Sequence, residues 1–82
     1  MLNKNPKLSI WQVLDFFLQG NKRTRDIAEN FDITINDACQ RIRKLHNWGC
    51  IKIIDRKRPR QYGITKWGLE MLNQKKGDLN HD

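Results

Sequence analysis

Residues 24–49 read TRDIAENFDITINDACQRIRKLHNWG, and this stretch has the pattern of two helices joined by a tight turn. Thr24 belongs to a residue type that caps helix N-termini, and it is the predicted start of the first helix. Three apolar residues then share one face of about two helical turns; they are Ile27, Ala28 and Phe31. Asp32 and Ile33 form the predicted turn.

The second helix of the stretch is the longer one. Thr34 is its predicted cap, and Asp37 stands at the capping-box position, where Glu or Gln is more usual. Ile35 and Cys39 flank the core face, and Gly49 ends the helix. The core face itself consists of Ala38, Ile42 and Leu45. A short helix, a tight turn and a longer helix form a helix-turn-helix arrangement.

The flanking sequence predicts a helix before this stretch and a hairpin after it. Ser9 caps a helix over residues 10–19, and Gly20 ends it. After residue 49 the apolar period changes to two, which predicts antiparallel strands over residues 51–54 and 62–64.

A last helix begins after Thr65, with Leu69 and Leu72 facing inward and Gly68 allowing close packing. The predicted fold is therefore mainly α with a small β-hairpin (α+β), in the order α-α-α-β-β-α. Residues 8–73 form the predicted domain, with a flexible arm at 1–7 and a disordered tail at 74–82.

Four fragments carry a resemblance to a known family: TRDIAENF (24–31), IT (33–34), RIRKLHNWGCI (41–51) and YGITKWGL (62–69). In order and spacing they resemble the winged helix-turn-helix DNA-binding family, in particular small MarR-like and FaeA-like bacterial regulators. The resemblance covers residues 8–73. It implies a small transcriptional regulator that binds double-stranded DNA sequence-specifically, with the longer helix in the major groove and the hairpin as a wing.

The distribution of charge agrees with a polyanionic partner. The chain has 16 Lys and Arg against 9 Asp and Glu, a net charge of +7. Residues 21–66 contain 12 of the cations and 5 of the acids, so this segment alone accounts for +7. At 82 residues the chain is too short for the large enzyme folds, and no stretch approaches the roughly 20 apolar residues of a membrane span. We expect a cytoplasmic protein that does not bind membranes and that, if it is a regulator, is associated with the bacterial nucleoid.

The outer face of the longer helix is the predicted reader of DNA bases. Asn and Gln suit adenine, Arg suits guanine, and Asp can accept a hydrogen bond from cytosine. Base contacts usually come from the N-terminal half of a recognition helix, which here contains Asn36, Asp37, Gln40 and Arg41. The predicted contacts to the DNA backbone are Lys22, Arg23, Thr24, Arg25, Thr34, Arg43 and Lys44.

The predicted wing places four cations in five positions around Pro59. They are Arg56, Lys57, Arg58 and Arg60. Wings of this kind lie along phosphates or insert an arginine into the minor groove, and Arg58 or Arg60 beside the proline is the better candidate for insertion.

No catalytic, cofactor or metal site is predicted. Cys39, His46 and Cys50 could be combined as metal ligands, but they lack a C-x-x-C pair, so inert reduced thiols are the preferred interpretation. His46 is predicted to be a partly buried structural residue.

A surplus of apolar side chains predicts a partner surface. Phe16, Trp67 and Met71 point away from the predicted core faces and could form one patch for a homodimer or a second protein. The alternative to a DNA-binding regulator is a winged-helix interaction module, or an accessory protein of a mobile element, whose basic face binds an acidic partner.

Overall fold

A computed structural model describes residues 8–79 of the chain, with side chains through Lys75. The predicted arm at 1–7 and the last three residues of the predicted tail lie outside the described residues. The elements in chain order are α1 (Ile10–Phe16), a 3-10 turn (Phe17–Gln19), β1 (Lys22–Arg23), α2 (Thr24–Phe31), α3 (Ile35–Asn47), β2 (Ile51–Asp55), β3 (Gln61–Ile64) and α4 (Lys66–Leu79).

The start of α1 is fixed by a reciprocal capping box. The Ser9 Oγ accepts a hydrogen bond from the Gln12 backbone N–H at 3.3 Å, and the Gln12 Oε1 accepts from the Ser9 N–H at 2.9 Å. The helix predicted over residues 10–19 divides into α1 and the 3-10 turn. It stops at Gly20, whose φ of 134° is readily adopted only by glycine.

The cap of α2 differs from the prediction. Arg23, not Thr24, is the N-cap, because the Asp26 carboxylate accepts a hydrogen bond from the Arg23 backbone N–H at 2.9 Å. The helix ends at Phe31, and its C-cap Asp32 adopts the left-handed conformation with φ of 56°. An aspartate tolerates this conformation better than most side chains do. The turn therefore starts at this residue, as predicted.

The start of α3 is confirmed. The Thr34 Oγ1 accepts a hydrogen bond from the Asp37 backbone N–H at 3.0 Å. Ile33, one residue before this cap, is buried in the core. The predicted core face of Ala38, Ile42 and Leu45 is buried as well. The tight turn and the cap together fix how α3 lies against α2.

The sheet has three strands rather than the two predicted, in the order β1-β3-β2. The short strand β1 pairs with β3, with Lys22 opposite Tyr62 and Arg23 opposite Gln61. Between Ile53 and Asp55 the register of β2 against β3 shifts. Because β1 immediately precedes α2, this pairing ties the start of α2 to the base of the hairpin.

The last helix closes the core, but with a different inner face from the one predicted. Leu72 is buried, whereas Leu69 is exposed, so the inward orientation predicted for Leu69 is wrong. The Thr65 Oγ1 caps the helix by accepting from the Gly68 backbone N–H at 3.0 Å. The helix continues to Leu79, past the predicted end of the domain at residue 73.

Gly68 confirms the prediction of close packing. A Cβ at this position would collide with the backbone carbonyl oxygen of Cys50 and would lie 2.9 Å from the Cγ1 of Ile64. The same carbonyl oxygen accepts a hydrogen bond from the Thr65 backbone N–H at 2.9 Å. Helix α4 therefore crosses the start of β2 at backbone contact distance.

Candidate nucleic-acid interface

The outer face of α3 presents polar and basic side chains to solvent along its whole length. Its opposite face is buried against α1 and α2, so the helix is amphipathic. The exposed polar set contains Asn36, Gln40, Arg43, Lys44 and Asn47. Thr34, the predicted backbone contact, is exposed at the start of the helix. A convex polar helix of this kind has the shape that a major groove admits.

Two of the four predicted base readers are bound to each other. The Arg41 Nε donates to the Asp37 Oδ1 at 3.1 Å, and both side chains are about a quarter to a third exposed, at 23% and 34%. An Arg41 terminal nitrogen also donates to the Leu8 backbone carbonyl at 3.3 Å. In the unbound protein, Asp37 and Arg41 therefore hold the segment that enters α1 against α3. Asn36 and Gln40 make no such contact within the described part of the chain.

The start of α2 lies beside the base of the wing. Arg23 and Arg25 are exposed, whereas Thr24 is half-buried. The Lys22 Nζ lies 4.2 Å from the centre of the Phe16 ring, which is a cation–π distance. The pairing of β1 with β3 brings this basic segment next to the wing, although about 35 residues of chain separate them.

All four wing cations are exposed, and among the side chains of residues 8–75 no acidic oxygen lies within 4.0 Å of them. Asp55 is used within the turn itself, because its Oδ1 accepts from the Lys57 backbone N–H at 3.0 Å. Four like charges on one short loop repel one another unless an anion neutralises them. The wing therefore concentrates positive charge that no acidic side chain of residues 8–75 neutralises.

A groove between α3 and the hairpin joins the two basic elements. Arg43 from α3 and Arg60 from the wing both line it, with Cys39 on its wall. His46 also lines the groove and is exposed, so its prediction as a partly buried structural residue is wrong. Its ring meets Tyr62 edge-on, with centroids 6.4 Å apart. The groove continues the cationic surface from the helix to the wing.

A column of two neighbouring tryptophans with a lysine at each end begins at this surface. The Lys44 Nζ lies 5.2 Å from the Trp48 ring centre, and the Trp48 and Trp11 ring centres are 5.7 Å apart. The Lys75 Nζ lies 5.3 Å from the Trp11 ring centre on α1. Apart from the i, i+4 spacing of Lys44 and Trp48, this column could not be predicted from the sequence, because its members come from three helices and the residue after α3.

The three residues of the predicted partner patch are covered to different degrees. Phe16 is half-buried and packs edge-on against Phe31, with ring centres 5.5 Å apart. Met71 is half-buried against the core, whereas Trp67 is 52% exposed, with its ring edge near Gly49. Trp67 is therefore the most accessible of the three.

Neither a metal cluster nor a membrane span is found in the part of the chain that the structure describes. No three His, Cys, Asp or Glu side chains come together there to hold an ion. No helix there has the length and apolar character needed to cross a bilayer. Cys50 is buried, and burial raises the pKa of its thiol, which disfavours the thiolate that binds metals or attacks electrophiles.

No protein-family model matches the sequence, and no curated protein matches it significantly. Solved structures do match the fold. A possible transcriptional regulatory protein (fragment 1-100) of Mycobacterium bovis superposes with a TM-score of 0.76 at 20% identity, over 88% of this chain and 78% of that one. Its solution structure, described as a homodimeric winged helix-turn-helix DNA-binding domain, gives a TM-score of 0.71 at 21% identity, over 89% and 70%.

Lactococcus lactis ZitR, a zinc-responsive MarR family member, matches with a TM-score of 0.73 at 16% identity, over 93% of this chain and 56% of that one. The chain thus spans little more than half of ZitR. The fold is a winged helix, as the resemblance implied, and its structural neighbours are transcriptional regulators of the ArsR and MarR families.

Proposed function

We propose that this chain binds double-stranded DNA sequence-specifically as a small transcriptional regulator. The observation that carries the proposal is the continuous cationic surface formed by α3, the start of α2 and the wing. This segment, residues 21–66, has a charge of +7, which equals the charge of the whole chain. The winged-helix fold shared with transcriptional regulators supports the same function. The regulator acts on chromosomal DNA in the cytoplasm and uses binding rather than catalysis.

In this proposal α3 enters the major groove, and the wing and the neighbouring start of α2 bind phosphates. Arg23 and Arg25 act at the start of α2, where backbone N–H groups add favourable dipoles. Lys22, Thr24, Thr34, Arg43 and Lys44 complete the backbone contacts. Phosphate contacts fix the register of the protein on the duplex and carry no direct sequence information. The wing cations lie along the next phosphates or enter the minor groove.

Sequence is read chiefly by Asn36 and Gln40, whose exposed side chains are available without breaking contacts inside the protein. Asp37 and Arg41 can contact DNA only after their mutual ion pair breaks. Arg41 must also give up its hydrogen bond to the Leu8 carbonyl. The pair is partly buried, so we expect Asp37 and Arg41 to read sequence only secondarily.

The test begins with selection of bound duplexes from a random library, followed by affinity measurements for the selected and scrambled sites. Gln40→Ala should lose about 1–3 kcal/mol on the selected site and relax preference at one or two base pairs, because a bidentate amide contact is removed. Asn47→Ala, on the same face at the C-terminal end of α3, is the matched control and should keep the preference. Equal loss on selected and scrambled DNA would remove Gln40 from base reading. Weak, salt-insensitive binding to every duplex would contradict the proposed function.

We further propose that the chain acts as a homodimer, as the solution structure of the Mycobacterium bovis neighbour is described to be. The contact is supplied by the predicted patch of Phe16, Trp67 and Met71, and Trp67 contributes most because it is the most exposed of the three. Two-fold related recognition helices would read half-sites about 34–36 Å apart, which is one turn of B-DNA.

Trp67→Glu should convert the dimer to a monomer, because it places a charge in an apolar interface where no partner charge is available. Analytical ultracentrifugation would measure the change as a shift in sedimentation coefficient. Ile54→Glu is the control, since it adds the same charge at a similarly exposed apolar residue of β2 and should leave the dimer intact. A dimer that survives Trp67→Glu would place the interface elsewhere.

A further inference from the structure

The first residue of α3, Ile35, has an apolar side chain that does not pack against the core. Ile35 is 53% exposed, the largest exposed fraction among the large apolar side chains of residues 8–75. It was predicted to flank the core face, yet it is not among the residues packed against the core. The apolar contact usual before a helix cap is supplied instead by Ile33, which is buried.

Nothing in the local structure favours isoleucine at this position. A β-branched side chain is a poorer helix former than alanine or leucine. Its exposed methyl groups gain no burial energy in the unbound protein. The side chain stands between the helix cap Thr34 and the exposed Asn36, on the turn of α3 that reaches deepest into a major groove in helix-turn-helix docking.

The floor of a major groove presents one apolar group, the C5-methyl of thymine. An isoleucine next to the polar reader Asn36 has the chemistry to contact that methyl, and its side chain cannot hydrogen-bond to any base edge. We propose that Ile35 is a specificity-determining residue that recognises a thymine methyl group within the target site. This inference rests on the proposed function, because it requires α3 to occupy the major groove.

Replacement of thymine by uracil tests the contact directly, because uracil lacks only the methyl group and keeps the same pairing. Each thymine of the selected duplex is replaced in turn by deoxyuridine, and the affinity is measured for the wild-type protein and for Ile35→Ala. Wild-type affinity should fall about three- to tenfold at one or two thymines, the loss expected for a buried methyl. Ile35→Ala should bind the thymine and uracil duplexes equally, at about the level of the wild type on uracil.

Two further variants separate this contact from general effects. Ile35→Val keeps a branched apolar side chain and should retain most of the discrimination between thymine and uracil. Ile54→Ala, which shortens an isoleucine of 45% exposure on β2, should leave the discrimination unchanged. Thermal unfolding of each variant would confirm that the fold is intact.

The outcomes also distinguish this inference from the proposed function. Sequence-selective binding in which no uracil substitution weakens the complex would overturn the methyl contact and leave DNA recognition standing. If Ile35→Ala still binds the uracil duplex more weakly than the thymine duplex, another residue contacts the thymine methyl. Absence of selective binding to any duplex would overturn both.

Discussion

Replacement of Arg58 and Arg60 by alanine should weaken binding to every duplex by about 30-fold at about 0.15 M salt. Each phosphate neutralised by a cation contributes about 0.9 to the slope of log affinity against log salt concentration. Relative to about 1 M salt, one phosphate contact therefore raises the log of the affinity at about 0.15 M by roughly 0.7. Loss of two contacts should lower the affinity about 30-fold. The slope itself should decrease in magnitude by about 1.8. Fluorescence anisotropy over a salt series would measure both quantities.

The matched control removes two charges from another part of the chain. Lys75→Ala with Lys76→Ala changes the net charge by the same amount, but both lysines lie on α4 outside the basic segment. This variant should keep the wild-type slope. An equal loss in both double variants would mean that net charge alone drives binding, whereas unchanged affinity in the arginine variant would remove the wing from the interface.

Gly68→Ala should lower the free energy of unfolding by about 2 to 3 kcal/mol, the upper part of the range for overpacking a core. The added Cβ meets the Cys50 carbonyl oxygen, which is backbone and is also held by Thr65. Neither α4 nor the start of β2 can move away without breaking the hydrogen bond from the Thr65 N–H to the Cys50 carbonyl oxygen. In a domain of this size the midpoint of thermal unfolding should fall by roughly 10 to 20 °C.

Gly63→Ala provides the comparison, because this glycine is also buried in the sheet. Its added Cβ would lie 2.6 Å from the Asn21 Oδ1 and 3.0 Å from the Ile54 Cγ1, and both belong to side chains that can rotate away. We expect a loss of less than about 1 kcal/mol, partly offset by the better strand propensity of alanine. Similar losses at the two glycines, measured by circular dichroism, would contradict the role assigned to the Cys50 backbone.

The parts of the fold that depend on local rules could be predicted from the sequence. The caps at Ser9, Thr34 and Thr65 form because a hydroxyl accepts from the backbone N–H three residues ahead, and serine and threonine are the residue types that can do so. The core face of α3 follows from helical periodicity in the same way. At α2, however, Asp26 reaches back to the Arg23 N–H, so the helix begins without the side-chain cap that Thr24 suggested.

The parts that depend on contacts distant in sequence could not be predicted. Strand β1 has only two residues, and it is a strand only because β3 lies beside it. The pair of Asp37 and Arg41 is visible as an i, i+4 spacing, but the bond from Arg41 to Leu8 crosses 33 residues. Helical periodicity places His46 and Ile35 beside the core face of α3, and only the structure shows that both are exposed.

The column of lysines and tryptophans has a consequence for measurement. Indole emission depends on the charge and polarity next to the ring, and Trp48 has the Lys44 ammonium on one side and Trp11 on the other. A DNA phosphate that draws Lys44 away would change that environment without touching the indole. Two of the three tryptophans thus form an intrinsic optical probe at the edge of the basic surface, so association could be followed on the unlabelled protein.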